Sequence, residues 1–314
     1  MRRVALAVLL VFGLLPGAAL AAFPGSNPDE SARLNTPDDP AFDCAEPAAE
    51  GGGGCSTVFD ENYERFGFAP QSTQTTATYK NPAQTTRQQA QNTLAGRNPL
   101  GQLPGVSADR AWKRSIGRPG VRIAILDTGI RWGEDSLRSK IALNAAELPT
   151  PQCGRDDCNG DGASNVDDYA GDSRVSKTAG NDEADDILDA SDLLPAFSDG
   201  SDSDHNGFVD DIAGWDFFDN DNDPYDASSY ASAANHGTGR AQEAGQLTDE
   251  GAGSTSLCPR CQIVPLRVWD TFVVDTNNFG LASLYASDNG IDIVESALGG
   301  LTNTRFAREA MRDA

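Results

Sequence analysis

The stretch Val121-Arg122-Ile123-Ala124-Ile125-Leu126-Asp127-Thr128-Gly129-Ile130 constrains this chain more than any other. Its apolar run is rich in β-branched residues and lacks the alternation of a half-solvated strand. It therefore reads as a strand buried on both faces, as in a parallel sheet. Pro119-Gly120 breaks the chain before it and Asp127-Thr128-Gly129 breaks it after. A carboxylate closing such a strand lies where open α/β sheets carry their sites, although an Asp there can equally be a turn former. Two more apolar runs, over 261–268 and 291–297, read as core strands. Helical stretches are expected over 108–116, from His236 to Leu247, over 276–289, and from a cap at Thr302 or Asn303 to Met311. Strand and helix alternate, so the expected fold class is α/β, a doubly wound, mostly parallel sheet with right-handed crossovers.

The region before this pattern has a different texture. Met1-Arg2-Arg3, an apolar run from Val4 to Leu15 and Ala19-Leu20-Ala21 make a secretory signal over residues 1–22, too short for a membrane anchor. Residues 23–102 are poor in apolar side chains and carry Gly51 to Gly54 and a Gln/Thr-rich run. They read as a linker or propeptide ahead of a domain over 103–314. Six cysteines fall in three close pairs, Cys44/Cys55, Cys153/Cys158 and Cys258/Cys261, and local disulfides are the simplest pairing in an exported protein. Cys258-Pro259-Arg260-Cys261 is also a C-x-x-C, but no second one exists to complete a zinc ligand set. The net charge of −23 argues against nucleic acid and anionic membranes as partners.

Residues 156–226 hold 22 of the 47 acidic residues, against only Arg174 and Lys177. Within this long acidic insert, Asp157, Asn159 and Asp161 alternate before Gly162, with Asp168 at the twelfth position. Asp202, Asp204 and Asn206 repeat the scheme before Gly207 and are followed by Asp211. Alternating oxygen donors around a tight Gly turn are what a hard cation such as Ca²⁺ requires. A merely solvated acidic loop is the alternative.

Beyond the insert comes Asn235-His236-Gly237-Thr238-Gly239, with His236 opening a helix. The stretches AILDTGI (124–130), DSDHNGFVDDIAGWDFFDNDNDP (202–224), HGTG (236–239), IVPLRV (263–268) and IDIVESALGG (291–300) together resemble the subtilisin-like serine peptidases. The resemblance runs from about Leu103 to the C-terminus and keeps the family's order of Asp, His, then Ser. It implies that Asp127 is the triad carboxylate and His236 the general base. It also implies that Leu298, Gly299 and Gly300 form an edge that binds the substrate strand. The implied function is a secreted serine endopeptidase acting on polypeptides, with calcium as a structural cofactor. The family's nucleophile motif, of Gly-Thr-Ser-Met-Ala type, and its oxyanion asparagine are expected beyond residue 314, leaving the domain in hand incomplete at its C-terminal side. Gly253-Ser-Thr-Ser256 imitates that motif, and Asn303 the oxyanion donor, at the wrong place in the order.

The sequence departs from the family at Gly239 (usually His), at Arg240 and Gln242 (usually small apolar residues) and at Ala297 (usually Ser). Glu134-Asp135-Ser136-Leu137 also stands where the family has a loop histidine. The alternative reading is an inactive, calcium-stabilised secreted module that binds peptides. An aspartic peptidase shares the Asp-Thr-Gly signature, but its chemistry needs two carboxylates, and Asp275-Thr276-Asn277 is no second copy.

Overall fold

The computed structural model describes residue 106 and residues 108–314, except positions 113, 181–185, 231–232, 249–254 and 272. The leader, the 23–102 region and the Cys44/Cys55 pair lie outside the described residues. In chain order the elements are α1 (Ala108–Trp112), β1 (Arg122–Asp127), α2 (Leu193–Phe197), β2 (Trp215–Asp216), α3 (His236–Gly245), β3 (Gln262–Arg267), α4 (Thr276–Asp288), β4 (Ile293–Glu295) and α5 (Arg305–Asp313). The expected α/β architecture is present. All four strands run parallel in the order β2-β3-β1-β4, so β1 is interior, and Ala124 pairs with Val264 on one side and Val294 on the other.

Alternation along β1 assigns the two faces. Ile123 and Ile125 pack with Ala241 and Ala244 of α3, while Ala124 and Leu126 pack with Ala282, Tyr285 and Ala286 of α4. Both faces are covered, which is why the strand is apolar throughout. Leu126 has no exposed surface and Ile125 only 1%. Burial of this kind is worth about 1.5–3 kcal/mol per side chain.

Two expectations change on the edges of this frame. The first helix spans only Ala108–Trp112, and a turn follows in which Gly117, at φ +85°, donates its N–H to Ser115 Oγ. The 291–297 run, expected as a core strand, forms only the three-residue β4, with Ile293 and Val294 exposed. Its position explains this: β4 pairs with β1 alone, at the margin of the sheet.

The acidic insert shows how a charged segment folds with little regular structure. Asn165 accepts from Asp167 N–H while Asp168 accepts from Asn165 N–H, capping a 3₁₀ turn over Val166–Tyr169. Asp189 and Asp192 repeat this arrangement over Ala190–Asp192, and Asp210 accepts the N–H groups of Asp199 and Gly200. Backbone amides answer much of the charge that the sequence left unbalanced. Cys153–Cys158 and Cys258–Cys261 are disulfides, so the second pair is not a zinc site.

Candidate active site

Asp127 ends β1 with no exposed surface, and its Oδ1 accepts the N–H of Thr128 at 2.8 Å. It faces Arg267 in the register with β3, yet the two do not pair. The Arg267 guanidinium bonds Asp216 and Asp219 instead, both at 2.5 Å, and lies 4.9 Å over the Phe218 ring. Asp127 Oδ1 is thereby left to meet His236 Nδ1, at 2.7 Å.

The meeting is built from the backbone up. Asn235, in the left-handed region at φ 65°, turns the chain into α3, so that His236 is its first residue. Thr128 Oγ1 accepts the N–H of Gly237 at 3.1 Å, and Thr238 Oγ1 accepts that of Arg131 at 3.1 Å. These two bonds tie the start of α3 to the end of β1. The approach is so close that a Cβ on Gly237 would sit 2.2 Å from the Gly129 carbonyl oxygen. Gly129 itself has φ +100°, and a Cβ there would sit 2.6 Å from the Tyr225 carbonyl oxygen. Nearby, burial raises the Asp226 carboxyl above its usual range, against the stabilising N–H groups of Ser228 and Asn235.

The pair has the chemistry of a base and its orienter. An ionised carboxylate can only accept, so the contact puts the imidazole proton on Nδ1 and leaves Nε2 as the basic nitrogen. The imidazole is 26% exposed while the carboxylate is fully buried, so the dyad presents its histidine outward.

The ends of the two long side chains on α3 find partners. Arg240 turns to Glu243 at 2.9 Å, and Gln242 Nε2 reaches Ser136 Oγ at 3.2 Å, within the segment that replaces the loop histidine. Ser256 is fully buried, donating to the Gln246 carbonyl oxygen at 2.9 Å, and belongs to no nucleophile arrangement. The Asn303 side chain accepts from Arg308, and Asp275 caps α4, so neither joins the dyad.

Leu298, Gly299 and Gly300 lie at the surface beyond β4. The Gly299 carbonyl accepts the N–H of Val274 at 2.9 Å, which joins this edge to the start of α4. A cleft of about 630 Å³ adjoins it, walled on one part by Tyr230, Trp269, Val273, Val274 and Leu301 and on another by Thr271, Asp275, Asn277, Thr302 and Thr304.

The two expected metal loops fare differently. In the first, Asp157 accepts from Gly160 and Gly162, Asp161 from Ala163 and Asn165, and Asp168 from Cys158 and Asn159. The Asn159 side chain bonds both Asp161's backbone N–H and its carboxylate. These carboxylates answer the loop's own amides rather than converging.

In the second loop, Asp204 and Asp211 come together with Glu147, their oxygens within 4.8 Å of one another. This is the one such acidic group among the described residues. The Asn206 amide touches both aspartates, while Asp202 accepts from the backbone of Asn206 and Gly207. Glu147, 55 residues upstream of Asp202 in the sequence, has no local spacing to advertise it. The oxygen-only donor set, with neutral Asn144, Asn206 and Tyr285 around it, fits calcium.

Burial pushes the Asp211 carboxyl up to about 6, against the hydrogen bonds of Tyr285, Asn206 and Asn144. Its raised folded value means that apo stability falls as pH rises from about 4 to about 6. A cation, which binds the ionised form, restores stability above that window. Calcium is therefore expected to raise the melting temperature most above pH 6 and progressively less below it. Thermal melts with calcium or chelator across pH 5–8, repeated on Glu147→Gln, check this, and an unchanged melt with chelator at pH 7.5 would remove the site.

The profile of the subtilase family, Peptidase_S8, matches residues 118–313. Thermitase of Thermoactinomyces vulgaris is 29% identical over 108 residues, covering 33% of this chain and 35% of that protein. A thermophilic serine proteinase of Bacillus sp. (strain AK1) is 34% identical over 89 residues, covering 28% of this chain and 21% of its own length. The matched segments thus span about a third and a fifth of those relatives. With the family profile covering most of the chain, on a parallel sheet whose first strand ends at an aspartate in contact with the histidine opening a later helix, this chain belongs to the subtilase family.

Proposed function

We propose that this chain supplies the carboxylate and the general base of a secreted serine endopeptidase that hydrolyses polypeptides through an Asp–His–Ser triad, with calcium as a structural ion. The observation that carries the reading is the 2.7 Å contact between Asp127 and His236 at the junction of β1 and α3. In the proposed mechanism His236 Nε2 takes the proton of a serine hydroxyl as that oxygen attacks the scissile carbonyl, then returns it to the leaving amine. Asp127 fixes the tautomer and stabilises the imidazolium as it forms. Leu298, Gly299 and Gly300 offer an extended peptide main-chain partners, and the apolar part of the adjoining cleft's lining suits a bulky substrate side chain. Glu147, Asp204 and Asp211 hold calcium, which rigidifies the acidic insert. The nucleophile and the oxyanion asparagine belong to sequence beyond Ala314, and the leader directs export.

A fluorophosphonate probe, which modifies an activated serine, tests the assignment. Residues 1–314 alone are expected to stay unlabelled, whereas a polypeptide extending past Ala314 is expected to be labelled on a serine outside that range. Labelling of Ser256 would overturn the assignment. A longer, folded polypeptide that binds peptides yet is never labelled would favour the inactive binding module.

A further inference from the structure

Glu295 is the residue of β4 opposite Ile125 in the parallel register with β1. Paired residues of neighbouring strands point to the same face, and Ile125 and Asp127 share a face because they are two apart. That face is the one covered by α3, since Ile125 packs with Ala241 and Ala244. Glu295 therefore projects beneath the helix that His236 opens, on Asp127's side of the sheet. Four residues beyond His236, and on the same side of α3, stands Arg240. Glu295 Oε2 and Arg240 Nε are both buried, and neither has a hydrogen-bond partner among the described residues.

One oxygen of an acidic side chain and one nitrogen of a basic one are thus buried without a hydrogen-bond partner, on the side of the sheet that carries Asp127. Burying polar atoms in this way is costly, so an unsatisfied pair calls for an explanation other than packing. Structural roles are already taken elsewhere: Glu243, half exposed, holds the outer end of Arg240. Asp127 contacts the imidazole directly, Glu243 acts on Glu295, and Asp226, in the loop before α3, is acted on by Asp127 and Arg131.

We propose that Glu295 is a positioning residue for the Asp127–His236 dyad: its carboxylate favours the protonated imidazole, and Arg240 opposes it, so that the two together set the pH at which His236 serves as a base. Burial, Asp127 and Glu243 raise the Glu295 carboxyl above its ordinary range, and Arg240 and His236 lower it, so these five groups share one electrostatic field. The signs follow directly. Removing the negative charge destabilises imidazolium and lowers the pH of its titration, while removing the positive charge raises it. The inference rests on the dyad reading but makes a separate claim about which further groups tune it.

The chain contains only two histidines, His205 and His236, so an NMR titration of the imidazole protons resolves each and needs no catalytic activity. Glu295→Gln keeps the side chain's shape and is expected to lower the His236 midpoint by roughly half to one unit, the effect of one charge beyond direct contact. Arg240→Met is expected to raise it, Glu295→Asp to stay near the parent, and the Glu295→Gln/Arg240→Met double variant to return towards it. His205, in the acidic insert, is expected to stay put. A merely structural role would not give opposite signs for the two charges. Folded variants whose His236 midpoints do not move, or move in the same direction, would overturn the inference. Asp127→Asn separates the two levels. If it leaves the His236 midpoint unchanged, the dyad reading fails. If it shifts the midpoint while Glu295→Gln does not, only the role of Glu295 fails.

Discussion

In a polypeptide that extends past Ala314 to its nucleophile, Asp127→Asn is expected to lower kcat/KM by about 10⁴ while leaving the fold intact. The reason is the direction of one proton. Asp127 Oδ1 lies 2.7 Å from His236 Nδ1, so the carboxylate demands the proton on that nitrogen and makes Nε2 the basic one. An amide oriented to donate through its nitrogen rewards the opposite tautomer, with Nδ1 deprotonated, and blocks the base. His236→Ala is expected to be at least as severe, and the double variant hardly worse than either single one, because members of a triad act as a unit. Hydrolysis of a peptide substrate by the four proteins measures this, and additive losses would argue against a shared function. A loss of less than tenfold in Asp127→Asn would remove the carboxylate from the chemistry.

The second large effect is on stability, and its sign reverses within one turn of helix. Gly237→Ala places a Cβ 2.2 Å from the Gly129 carbonyl oxygen and 3.1 Å from Asp127 Cβ. Backbone cannot swing aside as a side chain can, so α3 must move off β1. The expected cost is about 2–3 kcal/mol, a fall of roughly 5–10 °C in Tm for a domain of this size. The dyad contact is expected to be lost with it. Gly239, two residues on, has open space where its Cβ would go. There Ala is expected to stabilise by about 0.5–1 kcal/mol, because it restricts the unfolded chain and suits a helix. Gly245→Ala meets the side chain of buried Ile263, with Cδ1 at 2.7 Å and Cγ1 at 3.2 Å, rather than close backbone, and is expected to fall between the two. Thermal melts of the three variants decide it, and equal losses at 237 and 239 would contradict the close approach of α3 to β1.

What was legible in the sequence was whatever is encoded locally. The unbroken apolar run before Asp127 announces a two-faced strand, and Asn235-His236-Gly237 announces a helix entry that must pass close to backbone. The acidic cluster was half legible: alternating spacing singles out Asp204 and Asp211, but Glu147 joins them only through the fold. The first loop had the same spacing and a different fate. Its carboxylates cap turns and a 3₁₀ segment, because Asp serves the backbone as readily as it serves a cation. Arg240 looked like a misfit while its surroundings were unknown. The register of β4 supplies what was missing, setting Glu295 opposite Ile125 on the sheet, where its carboxyl feels the charge of Arg240. The run from 291 to 297 shows the remaining limit: its composition is that of a core strand, yet position at the sheet margin leaves Ile293 and Val294 exposed.

The dyad works as a base only where the imidazole of His236 gives its Nδ1 proton to Asp127. Imidazole ¹⁵N NMR of residues 1–314, above the pH at which the ring is charged, reads that proton directly. The expected result is a neutral His236 protonated at Nδ1 with slow solvent exchange, both features disappearing in Asp127→Ala. A neutral His236 protonated at Nε2, or a spectrum indifferent to Asp127→Ala, would contradict the account.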